Sequence, residues 1–574
     1  MQDVIATALV QGNADGDVLV CAEGLSFWGG VDPDTGVIID AHHPDHGASL
    51  AGRIVLMPTS RGSCSGSGVL LQLARNGQAP AALVFREQEN ILTLGAMIAD
   101  RLFDAPVVVL RLAPNAYDDL ATATRATVSS AGLCYDGKLI PLQTLHPDML
   151  TLTDTDRRML DGHDGPALKM AMEVLCLMAA TQGAHGFVTV DRGHIDGCIL
   201  AHDANLDFAE KMQQMGAKTR IPTTINAISV DRENWQAQGV VPDFGKKASR
   251  LADAYVNMGA RPTFTCAPYL LDDVPVAGEM IGWSESNAVI FANSVIGART
   301  VKHPDYLDLF IAMTGRAPNT GVYLTENRVP GHVIHVFLPK SYDDALWPML
   351  GWLAGAISPN DIPVLTGLER TRPTQDDLKA LCAAFGTTSA APMIHVRGHT
   401  PEADLGSHSN AKQSQINPVD LAVVWRDFNS AEDQVDLVAI GSPHASLSEC
   451  RRFAELLNGH TCCADTVVTV GRGVLAEAAA EGITARLLKA GVRVIPDMCW
   501  CSITEPVFPP DAKVLMTNSG KYAHYANGLT GCSVRFGSLA DCARTAVTGF
   551  NEPELPDWLA QSLPPGQNGN TDYV

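Results

Sequence analysis

The chain of 574 residues lacks any run of about 18 or more consecutive apolar residues, so no membrane-spanning helix is expected. Its opening residues, MQDVIATALV, lack both a basic segment and a long apolar core. No secretory signal is read there, and a cytoplasmic location is the expectation. Positive charge is also short. Lys and Arg number 41 against 63 Asp and Glu, a net charge of −22 with no compensating basic run. A nucleic-acid surface needs clustered Lys and Arg to neutralise phosphates, so nucleic acid is excluded as a partner, as is a membrane. Familiar signatures are missing too. There is no G-x-x-x-x-G-K-[ST] and no H-E-x-x-H, and Gly66-Ser67-Gly68 is followed by Leu71 where a dinucleotide fingerprint needs glycine. What remains is a globular composition, 46% hydrophobic and 18% charged, with length for roughly two to four domains. In a reducing compartment the 14 Cys are expected as free thiols, most of them buried as small hydrophobes.

One stretch organises the rest. Residues 58–70, PTSRGSCSGSGVL, join a short apolar strand at 53–57 to an apolar helix pattern at 69–74. A loop at a helix N-terminus exposes backbone N–H groups and favours an anion. Its glycines let the backbone come close to a ligand. Arg61, Ser63, Cys64 and Ser65 are candidate proton-transfer, nucleophilic or binding groups. The bland alternative is a tight turn with solvated serines. Residues 62–66, Gly-Ser-Cys-Ser-Gly, also mimic a nucleophile elbow with Cys64 at its centre, so a Cys-dependent hydrolase is an alternative.

The surrounding pattern alternates strand and helix. Strands are expected at 53–57, 81–85 and 106–110, with helices between them, which implies parallel pairing. His42, His43 and His46 lie in a loop bent by Pro44 and Asp45, where substrate contact or a structural hydrogen bond is expected over metal. Residues 135–148 read as a linker. Beyond it, residues 153–156 (Thr-Asp-Thr-Asp) predict a helix N-cap. Further α/β units place polar residues at the carboxyl ends of strands, the edge where open α/β sheets bind ligands. Among these residues are Thr223 and Asn226, His444 in Gly-Ser-Pro-His, and Asn518, Ser519 and Lys521 in Asn-Ser-Gly-Lys. Strand-end hydrogen bonding is the plain alternative for each. Ser284 and Glu285, just before an apolar helix pattern that includes Ser286, read as helix caps.

The cysteines are more specific. Cys266 ends an expected strand at 262–265, and Cys499 and Cys501 end another. A Cys-x-Cys pair and a distant third Cys at sheet edges suit an iron–sulfur cluster, or else are three buried thiols. Cys176, Cys382, Cys450 and Cys542 fall within helical patterns and read as core.

Many ordered motifs together resemble one family, aconitase X. FWGGVDPDTGVIIDAHHPDHG and RGSCSGSGVL resemble its swivel module; GAHGFVTVDRGHIDG, IPTTINAISVD, TCAPY, GEMIGWSESNAVIFANSVIGART, GSPHASLSE and MTNSGKYAHY resemble its large module. The resemblance implies an α/β fold: an N-terminal swivel domain (1–140) fused to a multi-lobed aconitase-like catalytic region (141–574). It implies an iron-dependent hydro-lyase in which Cys266 and Cys499 are ligands. Archaeal members carry GCPH where this chain has Ser442, so the third ligand falls to Cys501, with Cys64 in reserve. The centre is then a [2Fe-2S] or [4Fe-4S] cluster or a mononuclear iron. The fused form resembles the bacterial branch that dehydrates cis-3-hydroxy-L-proline to Δ1-pyrroline-2-carboxylate; a phosphomevalonate dehydratase is the alternative. Ser63 maps to the family's base, with Arg61 to stabilise its alkoxide. His444 would order a ligand or protonate the leaving hydroxide. Ser65, Thr223, Asn226, Ser286, Asn518, Ser519 and Lys521 would bind a small hydroxy amino acid. The chain is expected as a monomer or homodimer. An iron-sensing RNA binder is the non-enzymatic alternative, and the net charge argues against it.

Overall fold

The computed structural model describes residues 5–61, 64–552 and 554–564. The chain forms two compact units. The first holds the described residues up to Thr223, with Arg250–Arg261 and His303–Gly321; the second holds Thr224–Ser249, Pro262–Lys302 and the described residues from Val322 on.

In the first unit a nine-stranded sheet is built around four parallel strands, Ala14–Val20, Ile54–Met57, Ala82–Phe85 and Val108–Leu112, in that spatial order. Ile54–Met57 and Ala82–Phe85 are buried at every position. A strand covered on both faces needs apolar residues throughout, which is why these runs do not alternate. Antiparallel neighbours flank the parallel set, Arg125–Ser129 beside Ala14–Val20 and Ala6–Val10 beside Val108–Leu112. The expected β-α-β alternation is present. Residues 135–148 correct the linker expectation, because they carry edge strands. Lys138–Ile140 pairs with Gly132–Tyr135 as a hairpin, and Gln143–Thr144 pairs with Ala6–Val10. Asp136 (φ 47°) and Gly137 (φ 75°) make the tight turn that an Asp-Gly pair favours. At three and two residues, mostly exposed, these strands are too short to show a hydropathy period. The helix Asp154–Leu160 opens on the expected cap: Thr153 Oγ1 accepts from the Asp156 N–H (3.2 Å) and the Asp156 carboxylate accepts from the Thr153 N–H (3.0 Å).

The second unit contains two parallel sheets. One has the order His395–Val396, Pro363–Thr366, His332–Val336, Lys412–Ile416. The other has the order Val492–Pro496, Asp465–Val470, Leu437–Ile440, Val514–Thr517, Ser533–Phe536. Its core includes Val438, Ile440, Val468, Met516 and the helical thiols Cys450 and Cys542. Residues 262–265, expected as a strand, are not one. Phe264 takes a left-handed conformation (φ 44°) that no strand accommodates. The segment is held instead by the Thr265 N–H on the Ile225 carbonyl (3.1 Å) and the Ile225 N–H on Thr263 Oγ1 (3.0 Å).

Candidate active site

The five-stranded sheet reverses direction of build between Leu437–Ile440 and Val514–Thr517. A crevice forms beyond the carboxyl ends of strands at such a switch point, since the connections leave to opposite sides. Leu437–Ile440 runs into Gly441-Ser442-Pro443-His444, and Val514–Thr517 into Asn518-Ser519-Gly520-Lys521. Gly441 must be glycine: its φ is 98°, and a Cβ there would lie 2.3 Å from the Thr469 carbonyl oxygen. Ser519 ties the two loops. Its hydroxyl accepts from the Tyr522 N–H (3.1 Å), capping the helix Gly520–Thr530, and donates to the Ser442 carbonyl.

Three thiols gather in this unit. Cys266, Cys499 and Cys501 pack together against Ala227, with Cys266 1% and Cys499 7% exposed and Cys501 half-buried. The neighbouring Cys266 and burial push the Cys499 thiol up, against a lowering by Cys501. Cys499 and burial likewise push Cys501 well above its ordinary range. Lys521 stands beside them. Burial alone would lower its pKa, but Glu285 and the three cysteines outweigh that and hold it well above its ordinary value. Lys521 Nζ donates to Glu285 Oε1 (2.9 Å), with both side chains largely buried. Glu285 also accepts from Asn226 Nδ2 (3.2 Å) and Asn287 Nδ2. Asn287 in turn donates to the Cys266 carbonyl (3.1 Å) and accepts from Tyr269 Oη (2.7 Å).

The two cysteine turns share a design. Phe264 and Asp497, each two residues before a cysteine, are left-handed non-glycine residues (φ 44° and 69°). Such backbone persists only where its surroundings hold it. Asp497 is wholly buried, with its carboxylate bound by Arg472 (2.7 and 2.5 Å) and by the Arg232 N–H (3.0 Å). The Arg232 guanidinium lies 5.4 Å from the centre of the Phe264 ring. His444 is wholly buried, and burial pushes its pKa down to about 4, so the ring is neutral.

The structure distributes the other sequence-predicted residues as follows. Asn226, Lys521, Ser519 and the three cysteines lie in the second unit, as do half-buried Asn518 and Ser286. Thr223 ends the first unit's main segment, and its hydroxyl donates to the Ile221 carbonyl (2.8 Å). Arg61, 45% exposed in its side chain, faces Glu23 (3.2 Å) and Asp40 (3.8 Å). Ser63 lies outside the described residues. Cys64 is buried beneath the start of the helix Gly66–Arg75. Ser65 lines a cavity of about 20 Å³ with Trp28, Asp196, His202, Asn205 and Asp305. The close approach that Gly68 permits is to protein: a Cβ there would lie 2.8 Å from Tyr306 Oη. In the histidine loop His43 Nδ1 accepts from the Asp45 N–H (3.1 Å), a structural bond. The cap reading of Ser284 and Glu285 is corrected. The helix Ser286–Phe291 has Glu285 at its N-cap with no side-chain cap bond, because that carboxylate is taken by Lys521 and the two asparagines. Sequence reasoning missed this use of Glu285, and missed Tyr522; the only local signal was a polar Ser-Glu-Ser-Asn cluster ahead of an apolar helix.

Among the described residues no three His, Cys, Asp or Glu side chains close into a metal-holding geometry. The Cys499 thiol instead lies within hydrogen-bonding reach of both Cys266 and Cys501. The donor set nonetheless fits an iron–sulfur centre, since such centres are held by cysteine thiolates. Tyr522 Oη adds to the fit. It is wholly buried with no hydrogen-bond partner among the described residues, and burial, then Cys501, Cys532 and Cys499, push its pKa up.

Comparison with known proteins accords with this arrangement. The sequence matches the Aconitase X swivel domain over residues 3–134, first domain over 149–326, second domain over 330–426 and third domain over 435–548. It is 45% identical to a cis-3-hydroxy-L-proline dehydratase of Pseudomonas aeruginosa, over 97% of this chain and 99% of that protein. It is 43% identical to a protein of the same name from Hypocrea jecorina, over 98% of each. Among solved structures, the holo-form of aconitase X from Thermococcus kodakaraensis matches with a TM-score of 0.63 at 31% identity, over 69% of this chain and 100% of that one. With all four domain descriptions matched in order and relatives aligned from end to end, the chain belongs to the aconitase X family.

Proposed function

We propose that the chain is a hydro-lyase that dehydrates cis-3-hydroxy-L-proline to Δ1-pyrroline-2-carboxylate. What supports this most is the 45% and 43% identity to two dehydratases of that substrate, sustained over 97% and 98% of the chain. We read residues 1–140 as the swivel domain and 141–574 as the catalytic region, and the enzyme as cytoplasmic; no helix among the described residues is long and apolar enough to cross a membrane.

The reaction takes the proton from C2 and hydroxide from C3. The C2–H electron pair becomes a C2=C3 double bond as the C3–O bond breaks, and the departing hydroxide takes a proton from solvent to leave as water. The resulting enamine moves its nitrogen proton to C3, giving the C2=N product. Such a step needs a base at C2 and an electrophile at the leaving oxygen. Ser63 is the base. A serine hydroxyl is weak at its free pKa, so backbone N–H groups and Arg61 must stabilise the alkoxide. Cys266, Cys499 and Cys501 hold iron, as a [2Fe-2S] or [4Fe-4S] cluster or a single ion. When bound, iron supplies Lewis acidity toward the C3 hydroxyl. Lys521, which Glu285 keeps charged, receives the substrate carboxylate. Asn518, Ser519, Thr223, Asn226, Ser286 and Ser65 supply hydrogen bonds to the substrate.

The test is direct. Iron-loaded protein is mixed with cis-3-hydroxy-L-proline, and the C3 carbinol proton is followed by NMR with iron analysis of the same sample. Loss of that signal with appearance of the cyclic imine is expected. Iron-loaded protein that leaves the substrate intact and dehydrates phosphomevalonate instead would overturn the assignment.

A further inference from the structure

His444 is held at four points. Its ring Nε2 meets the Met498 carbonyl at 2.7 Å and its Nδ1 meets Thr265 Oγ1 at 3.0 Å. Its backbone N–H points at Cys266 Sγ (3.4 Å), and its carbonyl accepts from Lys379 Nζ (3.4 Å), a buried ammonium also paired with Glu449 and Asp376. A carbonyl can only accept, so the partners assign the ring proton to Nε2, and Nδ1 accepts from the Thr265 hydroxyl. Thr265 immediately precedes Cys266, and Met498 immediately precedes Cys499. The imidazole is therefore a strut between the Thr265 hydroxyl and the Met498 carbonyl, on the residues just ahead of two candidate iron ligands. Both turns are left-handed one residue further back, at Phe264 and Asp497, so each needs an external hold. Neither ring nitrogen has spare bonding capacity in this arrangement.

We propose that His444 is a positioning residue that fixes the separation of Cys266 and Cys499 by bracing Thr265 and Met498, and that it takes no part in proton transfer to the leaving hydroxyl. This rests on the reading of the cysteines as iron ligands. Partners one step removed from a metal ordinarily contribute about 10- to 100-fold to its affinity.

The test reads iron retention and spectrum as well as turnover. Full-length wild type, His444→Ala, His444→Gln and Thr265→Val are reconstituted with iron and sulfide without oxygen, then challenged with a fixed concentration of chelator. His444→Ala is expected to lose iron about tenfold or more faster than wild type, with altered visible absorption. His444→Gln can still donate to the Met498 carbonyl and should recover most of the retention. Once loaded it should turn over with a pH profile of unchanged shape. Thr265→Val removes the Nδ1 partner together with the acceptor of the Ala267 N–H (3.1 Å), leaves the His444 bond to Met498, and should loosen iron severalfold, which keeps the test alive if His444→Ala fails to fold. His444→Gln that retains iron and the wild-type spectrum but turns over about 100-fold slower, with one limb of the pH profile gone, would make His444 the proton donor and overturn the proposal. Equal iron retention in wild type, His444→Gln and Thr265→Val, with unchanged spectra, would overturn it also. Wild type that binds no iron at all would overturn the metal reading beneath it, and the strut with it.

Discussion

Lys521→Met separates two roles that the site gives one ammonium. Lys521 pairs with Glu285 at 2.9 Å, and the side chains are 12% and 13% exposed. In the proposed reaction the same ammonium receives the substrate carboxylate. A hydrogen bond to a charged group contributes about 1.5–3 kcal/mol. At about 1.36 kcal/mol per decade, its loss should raise KM roughly 10- to 150-fold. A second effect acts on stability. Removing one partner of a buried ion pair strands the other charge, at a cost of about 3–5 kcal/mol. Lys521→Met should therefore also lower the denaturation midpoint of the second unit. The double variant Lys521→Met with Glu285→Gln removes the stranded charge. It should regain most of the stability and none of the KM. Steady-state kinetics, normalised to bound iron, and denaturant unfolding measure the two quantities separately. A KM within about twofold of wild type in Lys521→Met would refute carboxylate binding, since the bond is worth at least a decade. Recovery of KM in the double variant would show that Lys521 serves only to neutralise Glu285.

Ser63→Ala should abolish turnover while bound iron stays at the wild-type level; a near wild-type rate would show that another group takes the α-proton. Cys266→Ser and Cys499→Ser should each lose colour and turnover together, and a colourless, iron-free protein of full activity would sink the metal reading. His303 is wholly buried, and burial pushes its pKa from 6.5 down to about 3. The unfolded chain takes up that proton below about pH 6.5 and the folded chain does not, so stability is present above that pH and falls by about 1.4 kcal/mol per pH unit toward pH 3. His303→Gln should flatten the wild-type dependence of denaturation midpoint on pH between 6.5 and 4.5 by that slope, and parallel curves would refute it. Gly68→Ala gains about 1 kcal/mol of helix propensity. Its new Cβ would lie 2.8 Å from Tyr306 Oη, on a wholly buried ring hydrogen-bonded to Asn205 (2.9 Å). Crowding of that kind costs about 1–3 kcal/mol, so a net loss of melting temperature is expected, and a rise would count against the packing.

Much of the fold could be read along the chain. The runs at 54–57 and 82–85 are apolar at every position because the parallel strands they form are covered on both faces. The cap at Thr153 and the helical thiols Cys176, Cys382, Cys450 and Cys542 were legible for a similar reason, as short-range patterns. The failures also have a common cause. Lys138–Ile140 and Gln143–Thr144 are edge strands of three and two residues, mostly exposed and too short to show a period, so their pairing is what defines them. Residues 262–265 have strand-like composition, but Phe264 is turned left-handed by its setting, where Arg232 covers its ring. Glu285 stands where a helix cap is expected, yet its carboxylate is drawn to Lys521 and Asn226.

By itself the sequence determined the α/β alternation and the strand and helix on either side of the stretch at 58–65, because each follows from side chains within a few residues of one another. Only the tertiary structure decided that Cys266, Cys499 and Cys501 come to one place, that Lys521 and Glu285 face each other, and that His444 spans Thr265 and Met498. Those contacts join residues far apart in the chain. The parallel order of the five-stranded sheet, which reverses beside Leu437–Ile440, brings the loops bearing His444, Cys499 and Lys521 to one edge, whereas Cys266 and Glu285 reach them from segments outside that sheet.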